Sequence, residues 1–137
     1  MTSYGTGTTT VTGPGFTVIS GLFQSITVPS NSVLYVSTDG GVQTSSAATA
    51  GLSIVDVALY VNATARPNAG WRRLYINNTQ TTVNQVRNWS FSDSVVVPAG
   101  TYTIDVRAAL IGGSAAFVSG DSTSVNQGQL TVIILKQ

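Results

Sequence analysis

The sequence predicts an all-β protein, an antiparallel β-sandwich of about eight strands. Three observations indicate this class. Apolar and polar residues alternate over many short segments, Gly, Pro, Ser and Asn separate these segments, and no stretch shows a convincing helical period. The best helix candidate, residues 44–52, is rich in Ser, Thr and Gly, which form helices poorly.

The predicted strands follow one another from Phe16 onward. Residues 16–28 alternate around Gly21, where a β-bulge is expected. Further strands are predicted at residues 32–38, 53–62, 71–78, 88–97, 100–111, 115–119 and 130–136. Residues 1–15 are mostly Gly, Thr and Ser, so we expect a flexible N-terminal arm, either a stalk connection or a frayed end. A single sandwich head domain is then expected over residues 16–137.

Composition points to a surface protein. Charged residues make up 8% of the chain, against roughly 25% in typical soluble domains. Ser, Thr, Asn, Gln and Gly must therefore provide the solubility, which suits an extracellular or virion-surface location. The net charge is +1 and the basic residues cluster only at Arg72 and Arg73, so nucleic acid is not an expected partner.

The sequence shows no pattern for a disulfide, a signal peptide or a membrane-spanning helix. The chain has no Cys, which excludes disulfides and thiolate metal sites. The N-terminus lacks the basic and apolar regions of a signal peptide. No run approaches the roughly 18 apolar residues of a membrane-spanning helix, so no membrane insertion is expected.

The residue types leave little chemistry for an enzyme. His, Cys and Glu are absent, and five Asp residues are scattered singly along the chain. Asp56 and Asp105 lie on outward strand faces, where they would form a glycosidase pair only if their strands brought them together. The alternative is that each carboxylate pairs with Arg107 or another arginine. We expect no enzymatic activity and no cofactor.

A metal site is also not expected. Asp39 and Asp121 lie in turns whose oxygens suit Ca²⁺, but each loop offers one carboxylate and ordinary Asp turn chemistry explains both.

Two stretches of the sequence carry a resemblance to a known family. Residues 26–41 and 95–110 each run apolar–x–apolar–Pro, then a turn, then alternating apolar residues through a Tyr, and the chain closes on GQLTVIIL. This pattern resembles the jelly-roll heads of the C1q and tumour-necrosis-factor superfamily and the related trimeric heads of bacterial and phage fibres. The resemblance covers residues 16–137. It implies a jelly roll and a homotrimer with its first and last strands adjacent near the threefold axis.

The closing strand is apolar on both faces. Leu130, Val132 and Ile134 share one face, which we expect in the core, while Ile133 and Leu135 share the other. We predict that Ile133 and Leu135 form an oligomer interface, where burial of each side chain would contribute roughly 1.5–3 kcal/mol. The alternative is that both faces are buried within a single chain.

The segment 70–76 holds the candidate ligand-binding residues, which are Trp71, Arg73 and Tyr75. Exposed Trp, Tyr and Arg dominate binding hot spots because they combine a large contact area with a polar group. The alternative is that Trp71 belongs to the core and the arginines only add solubility. Trp89, which alternates with Phe91, is predicted to be a core residue.

These observations favour a non-enzymatic structural or adhesive head. We expect a homotrimer of the phage or bacterial fibre or surface type, which presents loops to a cell-surface glycan or protein receptor. Two alternatives stay open at this point. One is a carbohydrate-binding module or lectin, and the other is a jelly-roll subunit of a self-assembling shell.

Overall fold

Strands dominate the computed structural model, which describes residues 1–120 and 125–136 and has eleven strands within them. The seven longer strands are β3 (Thr17–Val28), β4 (Ser32–Thr44), β5 (Leu52–Val61), β7 (Trp71–Asn77), β8 (Val86–Val97), β9 (Gly100–Gly113) and β11 (Gln129–Lys136). The four short ones are β1 (Thr2–Tyr4), β2 (Thr9–Val11), β6 (Thr64–Ala65) and β10 (Ala116–Val118). A single 3₁₀ turn, Asn68–Gly70, leads into β7.

The strands form two antiparallel sheets packed face to face. Sheet A runs β1–β11–β4–β8, and β10 and β2 continue it along the far end of β4. Sheet B runs β3–β9–β5–β7, with β6 beside the end of β5. When β1 with β2, and β10 with β11, are each counted as one interrupted strand, the order is 1-8-3-6 and 2-7-4-5. This is the jelly-roll arrangement, so the predicted all-β sandwich is confirmed.

The N-terminal residues correct one expectation. Residues 1–15 are not a flexible arm in the structure, because β1 pairs with β11 and β2 pairs with β10. Val11 enters the core, and the hydroxyl of Thr9, also buried, accepts a hydrogen bond of 2.9 Å from the backbone N–H of Ser20. A Gly- and Thr-rich composition predicts poor burial, but strand pairing satisfies the backbone here and needs only one apolar side chain inside.

The core lies between the two sheets. Alternate residues of each long strand point inward and form one apolar cluster, which includes Leu22, Leu34, Leu59, Ile76, Ile104, Val106, Leu130 and Val132. Trp89 is the largest side chain in it, as predicted, and its indole N–H donates to the hydroxyl of Thr38 at 3.1 Å. That hydrogen bond satisfies the one polar group that the buried indole brings into the core.

The closing strand follows the predicted alternation with one exception. Leu130 and Val132 are buried, whereas Ile134, also expected in the core, is 38% exposed. Its neighbour on β4, Leu34, is fully buried, so Ile134 is open towards the edge of the sheet. On its outer edge, β11 is paired with the N-terminal strand as far as Val132, which exchanges two backbone hydrogen bonds with Met1. Among the described residues, none pairs with this edge beyond Val132, so Ile134 is less covered than Leu130 and Val132.

The predicted bulge at Gly21 is present. Its φ of +84° lies in the left-handed region, and the pairing of β3 with β9 shifts register between Val18 and Phe23. A Cβ at this position would collide with the carbonyl oxygen of Tyr4. Glycine therefore allows the N-terminal segment to cross close to β3.

Buried polar residues fasten the loops at the ends of the sandwich. The side-chain amide of Asn78 donates to the carbonyl oxygens of Ser46 and Ala48 at 2.7 and 2.9 Å, and its oxygen accepts from the backbone of Asn84. The helix candidate at residues 44–52 therefore does not form a helix: residues 45–51 are held as a loop between β4 and β5. Within the described ranges, no helix has the length and apolar character needed to cross a membrane.

Candidate functional site

The three predicted ligand-binding residues lie together on β7, an edge strand of sheet B. Trp71, Arg73 and Tyr75 point outward, while Leu74 and Ile76, which alternate with them, point into the core. Trp71 is 36% exposed and Tyr75 is 58% exposed. The sequence placed these three residues on one face, and the structure does the same.

Arg73 is held by a buried carboxylate. It lies directly opposite Asp56 on β5, and its Nε and Nη2 atoms donate to the two carboxylate oxygens at 2.7 and 2.8 Å. Asp56 is almost fully buried, whereas the Arg73 side chain is about half exposed. The hydrogen bond to Asp56, followed by its charge, raises the pKa of Arg73. The two-point geometry fixes the guanidinium plane and leaves its outer edge facing solvent.

An aromatic cluster adjoins this ion pair. The ring of Phe16 meets Trp71 edge-on, with centroids 5.1 Å apart, and lies 5.7 Å from the ring of Tyr60. The guanidinium of Arg107 lies over the Tyr60 ring at 4.1 Å. Trp71 is therefore partly covered within its own chain, and the exposed surface includes Phe16 and Tyr60. The sequence analysis did not select these two residues for the site, because only the pairing of β5 with β7 brings Tyr60 near Trp71.

The two outward carboxylates of sheet B do not form a catalytic pair. Asp105 lies opposite Tyr60 on β5, four residues from Asp56, which corresponds to about 13 Å at the rise of a strand. Glycosidase carboxylates stand about 5–9.5 Å apart. Asp105 instead pairs with Arg107 at 2.5 Å, and this hydrogen bond raises the pKa of Arg107. The alternative reading, in which each carboxylate pairs with an arginine, is the one that the structure shows.

A third ion pair closes one side of the sandwich. Arg66, just after β6, contacts Asp93 on β8 at 2.8 Å and so links the two sheets at their edge. Three of the five Asp residues are thus neutralised by arginine. Asp121 lies outside the described residues. Across those residues no group of three or more His, Cys, Asp or Glu side chains could hold a metal ion.

Asp39 lies in a small polar hollow. The hollow measures about 200 Å³ and is lined by Asp39, Gly40, Asn88, Trp89, Ser90 and Asn126. Asn126 donates to the side-chain oxygen of Asn88 at 2.8 Å and so holds one wall. Asp39 is its single carboxylate.

The outer face of sheet A carries an exposed apolar surface. It comprises five residues on three neighbouring strands, Val33, Tyr35, Val96, Ile133 and Leu135, which we call the apolar patch. The strand register brings them together. Leu135 and Val96 flank Val33 on its two sides, and Ile133 lies beside Tyr35 in the next row. Ile133 is 44% exposed, Leu135 is 50% exposed and Val96 is 65% exposed.

The next outward positions along the three strands of the apolar patch are uncharged. The adjacent outward positions are Ser37, Ser92, Ser94 and Thr131, which are small hydroxyl residues. The face is therefore flat and apolar at one end and becomes weakly polar along the strands. Ile133 and Leu135, predicted from sequence as interface residues, both lie in this patch. The sequence analysis missed Val33, Tyr35 and Val96 because their contribution depends on which strands flank β4.

Comparisons with known proteins add little beyond the architecture. The sequence matches no protein-family model and no curated protein at significant similarity. Among solved structures, it resembles the Eiger TNF of S. frugiperda with a TM-score of 0.48 and 10% identity, over 100% of this chain and 92% of that one. A family 35 carbohydrate-binding module from an environmental isolate gives a TM-score of 0.41 and 14% identity, over 96% and 92% of the two chains.

A third similar structure is the insecticidal δ-endotoxin Cry8Ea1 of Bacillus thuringiensis. Its TM-score is 0.45 and its identity 11%, over 92% of this chain and 19% of the toxin, so the chain spans about a fifth of that protein's length. These values are too low to transfer a ligand, an assembly or an activity to this chain.

Proposed function

We propose that this protein is a non-enzymatic structural or adhesive head, which forms a homotrimer through the apolar patch and displays the rest of its surface to a receptor at a cell or virion surface. The observation that carries the proposal is the patch itself. Five apolar side chains from β4, β8 and β11 lie side by side on a sheet face that has no helix or loop over it in the described structure. Such a surface marks an interaction site in a soluble protein.

A second copy of the same chain is the best match for this patch. The patch and the hydroxyl rows beside it carry no charge, so they offer no electrostatic selection for a charged partner. The whole chain has a net charge of +1, which leaves little repulsion between copies. Burying Ile133 and Leu135 would contribute roughly 1.5–3 kcal/mol per side chain in each subunit.

The number of subunits comes from the resemblance to trimeric heads. That resemblance implies neighbouring first and last strands, and β1 indeed pairs with β11, with Thr2 opposite Thr131. β11 contributes Ile133 and Leu135 to the apolar patch, and β1 pairs with the preceding residues of β11. A threefold arrangement would therefore bring the patch-bearing face of each subunit towards its neighbours.

The absence of an enzymatic role is supported by the residues that are available. The chain contains no His, Cys or Glu, and three of its five carboxylates are engaged with arginines. The chain therefore has no imidazole, and few carboxylates outside these ion pairs, that could act as a general base. A surface location is supported by the low charged fraction of 8%.

The experiment is a comparison of two double variants by light scattering. Ile133→Thr/Leu135→Thr keeps strand propensity but removes apolar contact from the patch. The matched control, Val18→Thr/Ile111→Thr, changes two apolar side chains of similar exposure that lie outside the patch on sheet B. We expect the first variant to lose the trimer and keep its β-sheet spectrum, while the control keeps the mass of the unchanged protein.

A folded patch variant with unchanged mass would contradict the proposal.

A carbohydrate-binding module is the second candidate, favoured by the exposed Trp71 and Tyr75 beside the fixed guanidinium of Arg73. An aromatic ring of this kind can stack on the apolar face of a sugar. This candidate predicts a monomer in which Trp71 fluorescence responds to glycans.

A further inference from the structure

An open hollow lies at the other end of sheet A, away from the apolar patch. It measures about 340 Å³ and is lined by Thr8, Thr10, Gln43, Phe117 and Val125. Phe117 is the cross-strand neighbour of both Thr10 and Gln43, so these three residues form one outward row across β2, β10 and β4. The volume is at the lower end of the range of about 300–1,000 Å³ for small-molecule sites.

The lining combines an apolar side chain with polar groups that are unpaired among the described residues. Phe117 supplies the accessible apolar surface and the almost fully buried Val125 adds little, while Thr8, Thr10 and Gln43 supply two hydroxyls and one amide. In the part of the chain that the structure describes, none of these three polar side chains hydrogen-bonds to another protein group. Their donors and acceptors are therefore available to a ligand.

The described residues that line the hollow include no charged side chain. An ionic ligand would lose its hydration there without gaining a counter-charge, which disfavours acidic and basic compounds. A purely apolar ligand would cover two hydroxyls and an amide without satisfying them. The chemistry that fits both conditions is an uncharged ligand with one apolar face and several hydroxyl groups.

We propose that this hollow binds a neutral sugar as a single pyranose ring. The apolar face of the ring stacks on Phe117, and its hydroxyls exchange hydrogen bonds with Thr8, Thr10 and Gln43. The inference rests on the proposed function, since it names the ligand class that the head displays. The hollow is separate from the surface around Trp71, which belongs to the other sheet.

The position of the hollow allows assembly and binding together. Val33 in the apolar patch and Gln43 in the hollow are ten residues apart on β4, which corresponds to about 33 Å along an extended strand. A neighbouring subunit seated on the patch therefore leaves the hollow open. One end of this sheet face would therefore carry the subunit contact, and the other end would carry the sugar site.

The test is calorimetric titration of the unmodified protein with glucose, galactose, mannose and N-acetylglucosamine, together with amide NMR spectra. N-acetylneuraminic acid serves as the charged probe. We expect one or more of the neutral sugars to bind and to shift the amide signals of Thr8, Thr10, Gln43 and Phe117. The charged probe should leave these signals unchanged.

Variants then assign the binding to the hollow. Thr10→Val keeps the shape of the side chain and removes one hydroxyl, so we expect about a three- to tenfold weaker affinity. Phe117→Leu removes the stacking surface and should weaken binding further. The matched control is Thr17→Val, an exposed threonine on sheet B, which should bind as the unmodified protein does.

The proposal is overturned if none of the four neutral sugars shifts these signals, or if N-acetylneuraminic acid shifts them instead. It is also overturned if Thr10→Val binds the sugar normally, and this variant decides the matter even where Phe117→Leu fails to fold. Molar mass measured on the same samples separates the two claims. A trimer that binds no sugar contradicts only this inference, and a monomer that binds contradicts only the assembly.

Discussion

Asp56 and Arg73 face each other across β5 and β7 and form a two-point ion pair, although one side chain is almost fully buried and the other is half exposed. The arginine thus satisfies both oxygens of a carboxylate that has little access to water. Arg73 consequently has a structural role in addition to its place in the candidate ligand surface.

The first prediction tests the structural role of Arg73. Arg73→Met should lower the melting temperature, because it leaves the carboxylate of Asp56 buried without its cation. Asp56→Asn in the same background should recover part of the loss, because a neutral amide costs less to bury. Thermal unfolding of the two variants and the unchanged protein checks this. An Arg73→Met protein as stable as the unchanged one would show that the pair does not contribute.

The second prediction concerns the alternation along β11. Val132→Thr places a hydroxyl in the core and should cost about 1–3 kcal/mol of unfolding free energy, measured by urea denaturation. Ile133→Thr changes the next residue, which points outward, and should reduce the stability of the isolated subunit far less. Ile134→Thr would not test core packing in the same way, because Ile134 is partly exposed. If Val132→Thr were harmless and Ile133→Thr unfolded the subunit, the register of this strand would be wrong.

The third prediction tests the packing around Trp89. A Cβ on Gly40 would lie closer to the outer edge of the Trp89 indole than carbon atoms can approach, and it would also press on the backbone of Gly128. Gly40→Ala should therefore destabilise the fold by about 1–3 kcal/mol and change the Trp fluorescence. Gly100→Ala is the matched control. Its Cβ would make an ordinary contact of 3.5 Å with the Tyr102 ring, and the change in stability should stay within about 0.5 kcal/mol.

The fourth prediction concerns pH. The chain has no His and no Cys, so no side chain type with a reference pKa between about 5 and 8 is present. Folding raises the pKa values of Arg73 and Arg107, mainly through their hydrogen bonds to Asp56 and Asp105. The stability linked to the two arginine charges is therefore fully present across this range and is lost only in strongly alkaline solution, as the pH rises through the raised arginine pKa values. The melting temperature should therefore be nearly constant from about pH 5.5 to 8, and a sharp transition in that range would contradict the account.

The sequence predicted the local features of the fold well. Strict alternation placed Val132 inside and Ile133 outside, because side-chain direction in a strand depends only on position along it. The same rule failed for Ile134, since alternation gives the face of a residue but not how completely other residues cover that face. The alternation of Trp89 with Phe91 also predicted correctly that Trp89 lies in the core.

The features that sequence could not supply depend on distant strand pairs. Phe117 and Thr10 are 107 positions apart, and the hollow between them exists only because β10 pairs with β2. The composition of residues 1–15 likewise gave no sign that β1 would complete the sheet beside β11. Periodicity carries no information about pairing partners, so both the N-terminal strands and the full extent of the apolar patch needed the structure.

The molar mass of the unchanged protein in solution tests the central claim most directly. Light scattering coupled to size-exclusion chromatography should give three times the 14.2 kDa mass of the chain. This value should hold on dilution to low micromolar concentration, because three subunits bury the apolar patch together. A mass of one chain at every concentration would contradict the trimeric head, and particles of many chains would favour the shell subunit instead.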